Sequence, residues 1–454
     1  MSTSIAELGV VGLGAALARG ELSAVDATRA YLERIARHDR RIGAFLHVAA
    51  VSALEEAAAS DLRRRTGMHR SDLDGIPIAL KDNIDVAGMP CTNGMGALRD
   101  RRPEEDAYVV ARLRLAGCIF LGKLTMHEAA LGATNDNPHF GRCENPRLPG
   151  YTPGGSSGGA GAAVAAGLCA AALGTDTLGS VRVPASYCGT VGLLPTRGLV
   201  SRSGVMALSP TLDQVGVLAR SAADATRLLA QVVGYDEYDD QSVLMPADCL
   251  VEPAAELPIG LRIAVIETGD VARPSGDAAM AATAMALVHS GQCVEPRHFP
   301  EWNPTRLRRA GLLIAEAEGY VANRSWLDAD GVSDSLREML EFGARQSAER
   351  VEEARKVLRE ARRQWRVLLR DFDALLLPTT PQPSFRFGEP VPADQADFTS
   401  PASIAGLPAI SVPAGATADG RPLGVQIVGR AFDDTQVVAL GRIIESALGP
   451  CSIA

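Results

Sequence analysis

The sequence predicts an α/β fold built on a largely parallel sheet. DAYVVARLRLAG followed by CIFLG reads as a helix running into a short strand. Further on, LRIAVIE, DAAMAATAMALVHSG and QCVEPRHF read as strand, helix and strand. That alternation is what a parallel sheet with crossover helices requires. The composition agrees: 46% hydrophobic and 22% charged residues over 454 positions suit a soluble globular chain with a large core.

Taken in order, the first 65 or so residues read as helical. Ser23 and Asp26 have the spacing of an N-terminal cap, and Val25, Thr28, Leu32 and Ile35 recur every three or four positions. From about Leu73 strands and helices alternate. The stretch from Leu148 to Thr175 carries no charge but is rich in Gly, Ser and Pro. Its Ala/Gly run reads as a tightly packed, buried helix behind a loop, not as a membrane span. Residues 333–370 are charge-rich with helical period and read as a solvated pair of surface helices. DALLLPTTPQP gives a strand running into a proline-punctuated loop. PAISVPAG and RPLGVQIVGR give two more strands, and DDTQVVALGRIIESAL an amphipathic closing helix. With no internal repeat and no long low-complexity linker, residues 1–454 read as one domain with helical additions.

Composition also excludes several functions. A net charge of -9 and a pI near 5.4 argue against a bulk electrostatic partnership with nucleic acid. Aromatic residues, at 4%, are too few for base-stacking platforms. The cysteines (91, 118, 143, 169, 188, 249, 293 and 451) are scattered, with no Cys-x-x-Cys pair. They read as reduced thiols of a cytoplasmic protein, not as a disulfide frame or a zinc site. The first basic residue is Arg19, so the N-terminus does not read as a secretory signal.

One stretch demands bare backbone: GGSSGG, residues 154–159. A phosphate-binding P-loop needs Lys-Ser/Thr after its last glycine, and here Ala160-Gly161-Ala162 follows. The dinucleotide fingerprint fails on glycine spacing. Catalysis needs partners, and two other stretches supply them. In GIPIALKDN, Lys81 ends an apolar run; in GTDTLGSVRVPASYCG, Ser180 follows Gly179. Burial at the end of a strand disfavours an ammonium, so such a lysine can serve as a base. A serine hydroxyl becomes a useful nucleophile once a base takes its proton, and Ser-Lys pairs are a variant of the serine triad.

Together these stretches resemble the amidase signature family of Ser-cisSer-Lys amide hydrolases. The likeness runs through GIPIALKDNID, LGKLTMHEAALGATNDNPHFG, GGSSGGAGAAVAAG and GTDTLGSVRVPASYCGTVGLLPTRG. It is weaker at DALLLPTTPQP and resumes at SPASIAGLPAISVPAG and GRPLGVQIVGR. The resemblance implies a large mixed, twisted sheet flanked by helices on both faces. It implies Ser180 as nucleophile, Ser156 as a bridging serine held by a cis peptide, and Lys81 as base. The backbone N–H groups of Thr177, Leu178, Gly179 and Ser180 would form the oxyanion hole. Asn93, Gly94, Met95 and Ser157 are implied as substrate contacts, with Thr379 and Thr380 further candidates for the pocket wall. Asp176 and Arg182 would be structural neighbours of the nucleophile turn, and His127 and His139 structural residues of their loops. No cofactor and no metal is implied.

The sequence departs from the family at Leu178, where the family usually has glycine. Leucine keeps its N–H but would obstruct the turn if that position needed positive φ. The resemblance implies a free-standing hydrolase working through an acyl-enzyme, as a homodimer or with a small accessory subunit. The few aromatic residues and a pocket narrowed by Leu178 point to a small polar amide as substrate, and the acidic charge and lack of a membrane span to no nucleic acid and no membrane. The alternative is an amidase subunit of a larger complex, of the tRNA-dependent amidotransferase or carboxybiuret hydrolase kind. The amidotransferase subunit usually carries a tyrosine-rich helix, and the comparable REMLEFGARQSAERVEEARK has no tyrosine. A non-catalytic scaffold would be expected to have lost one of Lys81, Ser156 and Ser180, and all three are present.

Overall fold

The computed structural model describes residues 5–245, 257–268, 274–299, 302–449 and 454. The chain opens with α1 (Gly9–Ala18) and α2 (Ala24–Ile42). Ser23 caps α2 by accepting from the Asp26 N–H, and Gly43, at φ 68°, ends it. The Asp61 carboxylate holds two further free N–H groups of that first turn, those of Ala24 and Val25. The N-terminal region is not wholly helical. Strand β1 (Phe45–Val48) separates α2 from α3 (Ala50–Arg65) and joins the edge of the main sheet.

The sheet is then laid down by β2 (Pro77–Lys81), α4 (Tyr108–Ala116) and β3 (Ile119–Leu124), with a separate hairpin of β4 (Asp136–Asn137) and β5 (Gly141–Arg142). Next come α5 (Gly158–Ala165), β6 (Ala171–Asp176), α6 (Arg182–Cys188), β7 (Val191–Leu194), β8 (Gln214–Ala219) and α7 (Ala222–Val232). The Ala/Gly run is therefore not one helix. Gly167, at φ 64°, stops α5, and the rest becomes the buried strand β6. Alanine and glycine serve both because neither has a side chain that decides between helix and strand in a fully enclosed site.

The chain continues with β9 (Arg262–Ile266), α8 (Pro274–His289), β10 (Cys293–Arg297), α9 (Pro304–Asn323), α10 (Asp334–Ala344) and α11 (Ala348–Asp371). It closes with β11 (Ala374–Pro378), α12 (Ser400–Ala405), β12 (Ala409–Ala416), β13 (Pro422–Gly429) and α13 (Asp434–Leu448).

Eleven strands form one sheet in the order β1-β3-β2-β6-β8-β7-β12-β13-β11-β9-β10. It is mixed, as the family resemblance implies, and not the largely parallel sheet that the strand-helix alternation alone suggests. β2 pairs in parallel with β3 and β6, and β9 with β10 and β11. The remaining neighbours are antiparallel. The strand-helix-strand stretches read from the sequence are the parallel parts; the antiparallel centre comes from β8, β7, β12 and β13.

Helices cover both faces, as the side chains of the fully buried β11 show by joining two cores in alternation. Ala374 and Leu376 pack in one core with Leu440 and Ile444 of α13. Leu375 and Leu377 pack in another with Trp365 and Leu368 of α11. The charge-rich helices α10 and α11 are thus not merely solvated. Their apolar stripes, including Leu336, Leu340, Leu358 and Trp365, are buried. Among the described residues, Cys91, Cys118, Cys143, Cys169 and Cys188 are buried and Cys293 is exposed; Cys249 and Cys451 lie outside them. No helix among the described residues is long and apolar enough to cross a membrane.

Candidate active site

Lys81 is the last residue of β2 and is fully buried. Parallel pairing aligns Ala79 with Ala172 and Leu80 with Leu173, so the carboxyl ends of β2 and β6 lie side by side. The Lys81 Nζ donates to Ser156 Oγ at 2.7 Å and to Thr175 Oγ1 at 2.8 Å. Asn83 Nδ2 also donates to Thr175 Oγ1, at 3.1 Å, which fixes the hydroxyl beside the amine. Burial pulls the lysine pKa down to about 7, against the buried carboxylates of Asp213 and Asp176, which pull it up.

Ser156 enters through a cis peptide bond from Gly155 and is fully buried. The glycines around it sit against other backbone. A Cβ on Gly155 would lie 2.9 Å from the Ala133 carbonyl carbon, and one on Gly159 would lie 2.4 Å from the Thr125 carbonyl oxygen. Ser157 Oγ donates to the Thr175 carbonyl oxygen, and its N–H donates to the Ser180 carbonyl oxygen at 3.2 Å. The GGSSGG segment is thereby fastened to both β6 and the turn that follows it.

That turn carries Thr177, Leu178, Gly179 and Ser180 into α6. Among the described residues, the N–H groups of Leu178, Gly179 and Ser180 donate to no protein acceptor. The turn is held by its other atoms. Thr177 Oγ1 donates to Asp213 at 2.6 Å, Thr399 Oγ1 donates to the Leu178 carbonyl oxygen at 2.7 Å, and the Val181 N–H donates to Asp176. Leu178 is not at positive φ; Gly179 is, at 143°, and a Cβ there would lie 2.1 Å from Thr399 Oγ1. The leucine therefore keeps its N–H in place without backbone strain, and its side chain packs against Gly311 of α9.

Behind the turn, Arg182 and Asp176 form a fully buried ion pair. Arg182 also donates to Gln426 and Ser403, which ties α6 to β13 and α12. Burial alone would raise the Asp176 pKa, but the Arg182 guanidinium and its hydrogen bonds outweigh that and hold it below the usual carboxylate range. Asp213 accepts from Thr177 and from the Leu208 and Ser209 N–H groups, while burial pushes its pKa up.

A cavity of about 160 Å³ opens onto Ser180, walled by Gly155, Thr177, Leu178, Gly179, Val183 and Arg308 among others. It is smaller than the roughly 300–1,000 Å³ of a drug-sized site. Asn93, Gly94, Met95 and Ser157 do not line it. Asn93, at φ 52°, lies 3.5 Å from Asn323; the Gly94 carbonyl accepts from Asn137; and Met95 is buried in the cluster containing Met126 and Leu336. Thr379 meets Ser411, and Thr380 donates to the Gln382 carbonyl. His127 is kept neutral by burial, which lowers its pKa to about 4, and His139 Nε2 lies 2.8 Å from Glu128 Oε1. Among the described residues no group of His, Cys, Asp and Glu has the makings of a metal site.

Sequence reasoning missed Thr175, Asn83, Asp213 and Arg308. The first two lie inside stretches already singled out, GTDT and KDN. Asp213 and Arg308 carry no local signal.

Residues 26–438 match the Amidase family, and the chain belongs to it. It is 38% identical to a glutamyl-tRNA(Gln) amidotransferase subunit of Anaeromyxobacter sp. (strain K), over 99% of each chain. It is 35% identical to the subunit of the same name in Thermobifida fusca (strain YX), over 98% of this chain and 97% of that one. Among solved structures it resembles one described as a vestigial protein complex revealing the evolutionary origins of an s-triazine catabolic enzyme. There the TM-score is 0.90 and the identity 31%, over 98% of this chain and 100% of that one. It also resembles the native peptide amidase of Stenotrophomonas maltophilia, with a TM-score of 0.86 and 31% identity over 98% of each.

Proposed function

We propose that this chain hydrolyses a carboxamide at Lys81, Ser156 and Ser180 and that it does so as the amidase component of a larger assembly. The observation that carries the chemistry is the buried 2.7 Å contact between Lys81 and Ser156, fastened to the turn that bears Ser180. With its pKa lowered to about 7, the lysine is available as a neutral amine near neutral pH.

Ser180 Oγ attacks the carbonyl carbon. Its proton passes to Ser156 Oγ while Ser156 gives its own to the Lys81 amine. The oxyanion meets the free N–H groups of the turn, the kind of donors whose loss typically costs about 10²–10³ in rate. Collapse of the adduct breaks the C–N bond, and the proton on Lys81 returns through Ser156 to the leaving nitrogen. A primary amide thus releases ammonia and leaves an ester on Ser180. Water cleaves that ester by the same proton path and frees the acid.

The subunit reading draws on the identity, along almost the whole chain, with relatives named as one subunit of an amidotransferase. The tRNA in their name is theirs. A net charge of -9 gives this chain no general attraction to a phosphate backbone. A free-standing amidase is the second reading, supported by the likeness to the peptide amidase and by a tyrosine-free REMLEFGARQSAERVEEARK.

Ammonia release from a panel of small amides, with Ser180→Ala beside the native chain, tests both. Brisk Ser180-dependent turnover by the isolated chain favours the free-standing reading. Turnover that appears only in a co-purified complex favours the subunit reading. Turnover that survives Ser180→Ala sinks both.

A further inference from the structure

We infer that Arg308 makes this site selective for carboxamides that also carry a carboxylate. The inference rests on Ser180 being the nucleophile, because it concerns the cavity that opens onto that residue.

Arg308 projects from the first turns of α9 and is buried, at 9% exposure. It is the one charged residue among those lining the cavity; the others are small, apolar, or neutral and polar. Its Nε donates to Asp397. The second oxygen of Asp397 accepts from Thr305 Oγ1 at 2.6 Å, so that carboxylate is occupied on both sides. Asp397 itself is fully buried. Among the described residues, the two terminal nitrogens of the Arg308 guanidinium have no hydrogen-bond partner. A guanidinium bound through Nε alone keeps a planar pair of NH₂ groups, the geometry that grips a carboxylate.

A purely structural role would explain the Asp397 contact but not the unpaired nitrogens facing a nearly apolar cavity. Unpaired guanidinium donors lining a nearly apolar cavity discriminate strongly between ligands that can fill them and ligands that cannot. The small cavity adds a limit on size. The acid group must sit within a few bonds of the amide, as in the half-amide of a short dicarboxylic acid or an amino acid with a side-chain amide. Asp397 leaves the guanidinium locally neutralised, so selection comes from directed hydrogen bonds more than from net charge.

The test compares malonic, succinic and glutaric half-amides with the corresponding diamides, which have the same shape without the charge. The full-length native chain should favour its best half-amide by roughly 10²-fold or more in kcat/KM, from two charge-assisted hydrogen bonds. Arg308→Met should bring that ratio toward one, and Arg308→Lys should restore part of it. A structural role alone would lower both rates and leave the ratio standing. If Arg308→Met fails to fold, Arg308→Met combined with Asp397→Asn removes the stranded charge, and the native ratio is decisive by itself. A native ratio near one overturns the inference.

Where no amide turns over, labelling of Ser180 by a small fluorophosphonate gives the readout. Half-amides should slow labelling at concentrations where diamides do not, and equal protection overturns the inference. Failure of Ser180 to label at all overturns instead the catalytic reading beneath it.

Discussion

The Nζ of Lys81 donates to the Oγ of Ser156 at 2.7 Å, and neither side chain is exposed to solvent. A buried amine with a pKa near 7 is a base that neutral pH can switch. In the proposed mechanism the deprotonated form is the active one, so kcat/KM should rise with pH through about 7 and level off above it. Asp213 raises that pKa. Asp213→Asn should therefore shift the rising limb to lower pH, provided the turn at Thr177 keeps its place. A pH profile of both proteins checks this, and a limb that stays put or moves up would contradict the assignment of the base.

Lys81, Ser156 and Ser180 should behave as a unit. Residues that act in one proton path show strongly non-additive losses. Lys81→Ala and Ser156→Ala should each lower kcat by roughly 10²–10⁴, the usual contribution of general acid-base catalysis. The double variant should fall no further than about tenfold below the worse single one. Additive losses would mean that the two side chains work independently.

Gly179 is required twice over, by φ 143° and by Thr399 Oγ1 at 2.1 Å from where a Cβ would stand. Gly179→Ala should displace the turn and cost about 10²–10³ in kcat, the scale of a lost oxyanion donor. A circular dichroism spectrum matching the native one, together with the kinetic loss, would place the effect in the turn. Native kcat in this variant would remove the turn from the mechanism.

Arg182 and Asp176 are both fully buried. Arg182→Met would leave the Asp176 carboxylate enclosed without its partner, a defect that costs about 3–5 kcal/mol. Urea denaturation should show the midpoint falling accordingly. A loss below about 1 kcal/mol would mean that Ser403 and the Val181 N–H suffice to hold the carboxylate.

The local elements were largely legible. Ser23 and Asp26 announced the start of α2 because a cap is a contact between residues three apart. The strands at LRIAVIE and DALLLPTTPQP announced themselves as short apolar runs, the first with β-branched residues and the second bounded by proline. The sheet's direction did not. An apolar strand buried on both faces reads the same whether its neighbour runs parallel or antiparallel, so strand patterning did not show the antiparallel run from β6 to β11, and only the family resemblance implied a mixed sheet. The Ala/Gly run misled for a related reason: with almost no side chains to count, period cannot separate α5 from β6.

The candidate site divides in the same way. The sequence by itself determined the parts: a lysine closing an apolar strand, a serine flanked by glycines, and a serine after Gly179. It also contains a rival, since Lys123 too sits in an apolar strand and the only other lysine is Lys356, on a charged helix. Tertiary structure separates the two buried amines. Lys123 donates to the carbonyls of Ile84 and Pro90 and lies 3.6 Å from Asp82, while Lys81 meets the hydroxyls of Ser156 and Thr175. Only the folded sheet places Asp213 under Thr177 and Arg308 in the wall of the cavity that opens onto Ser180, because those contacts join residues far apart in the chain. Short-range pattern encodes caps, periods and turns; long-range packing decides which polar groups are left without water and must find one another.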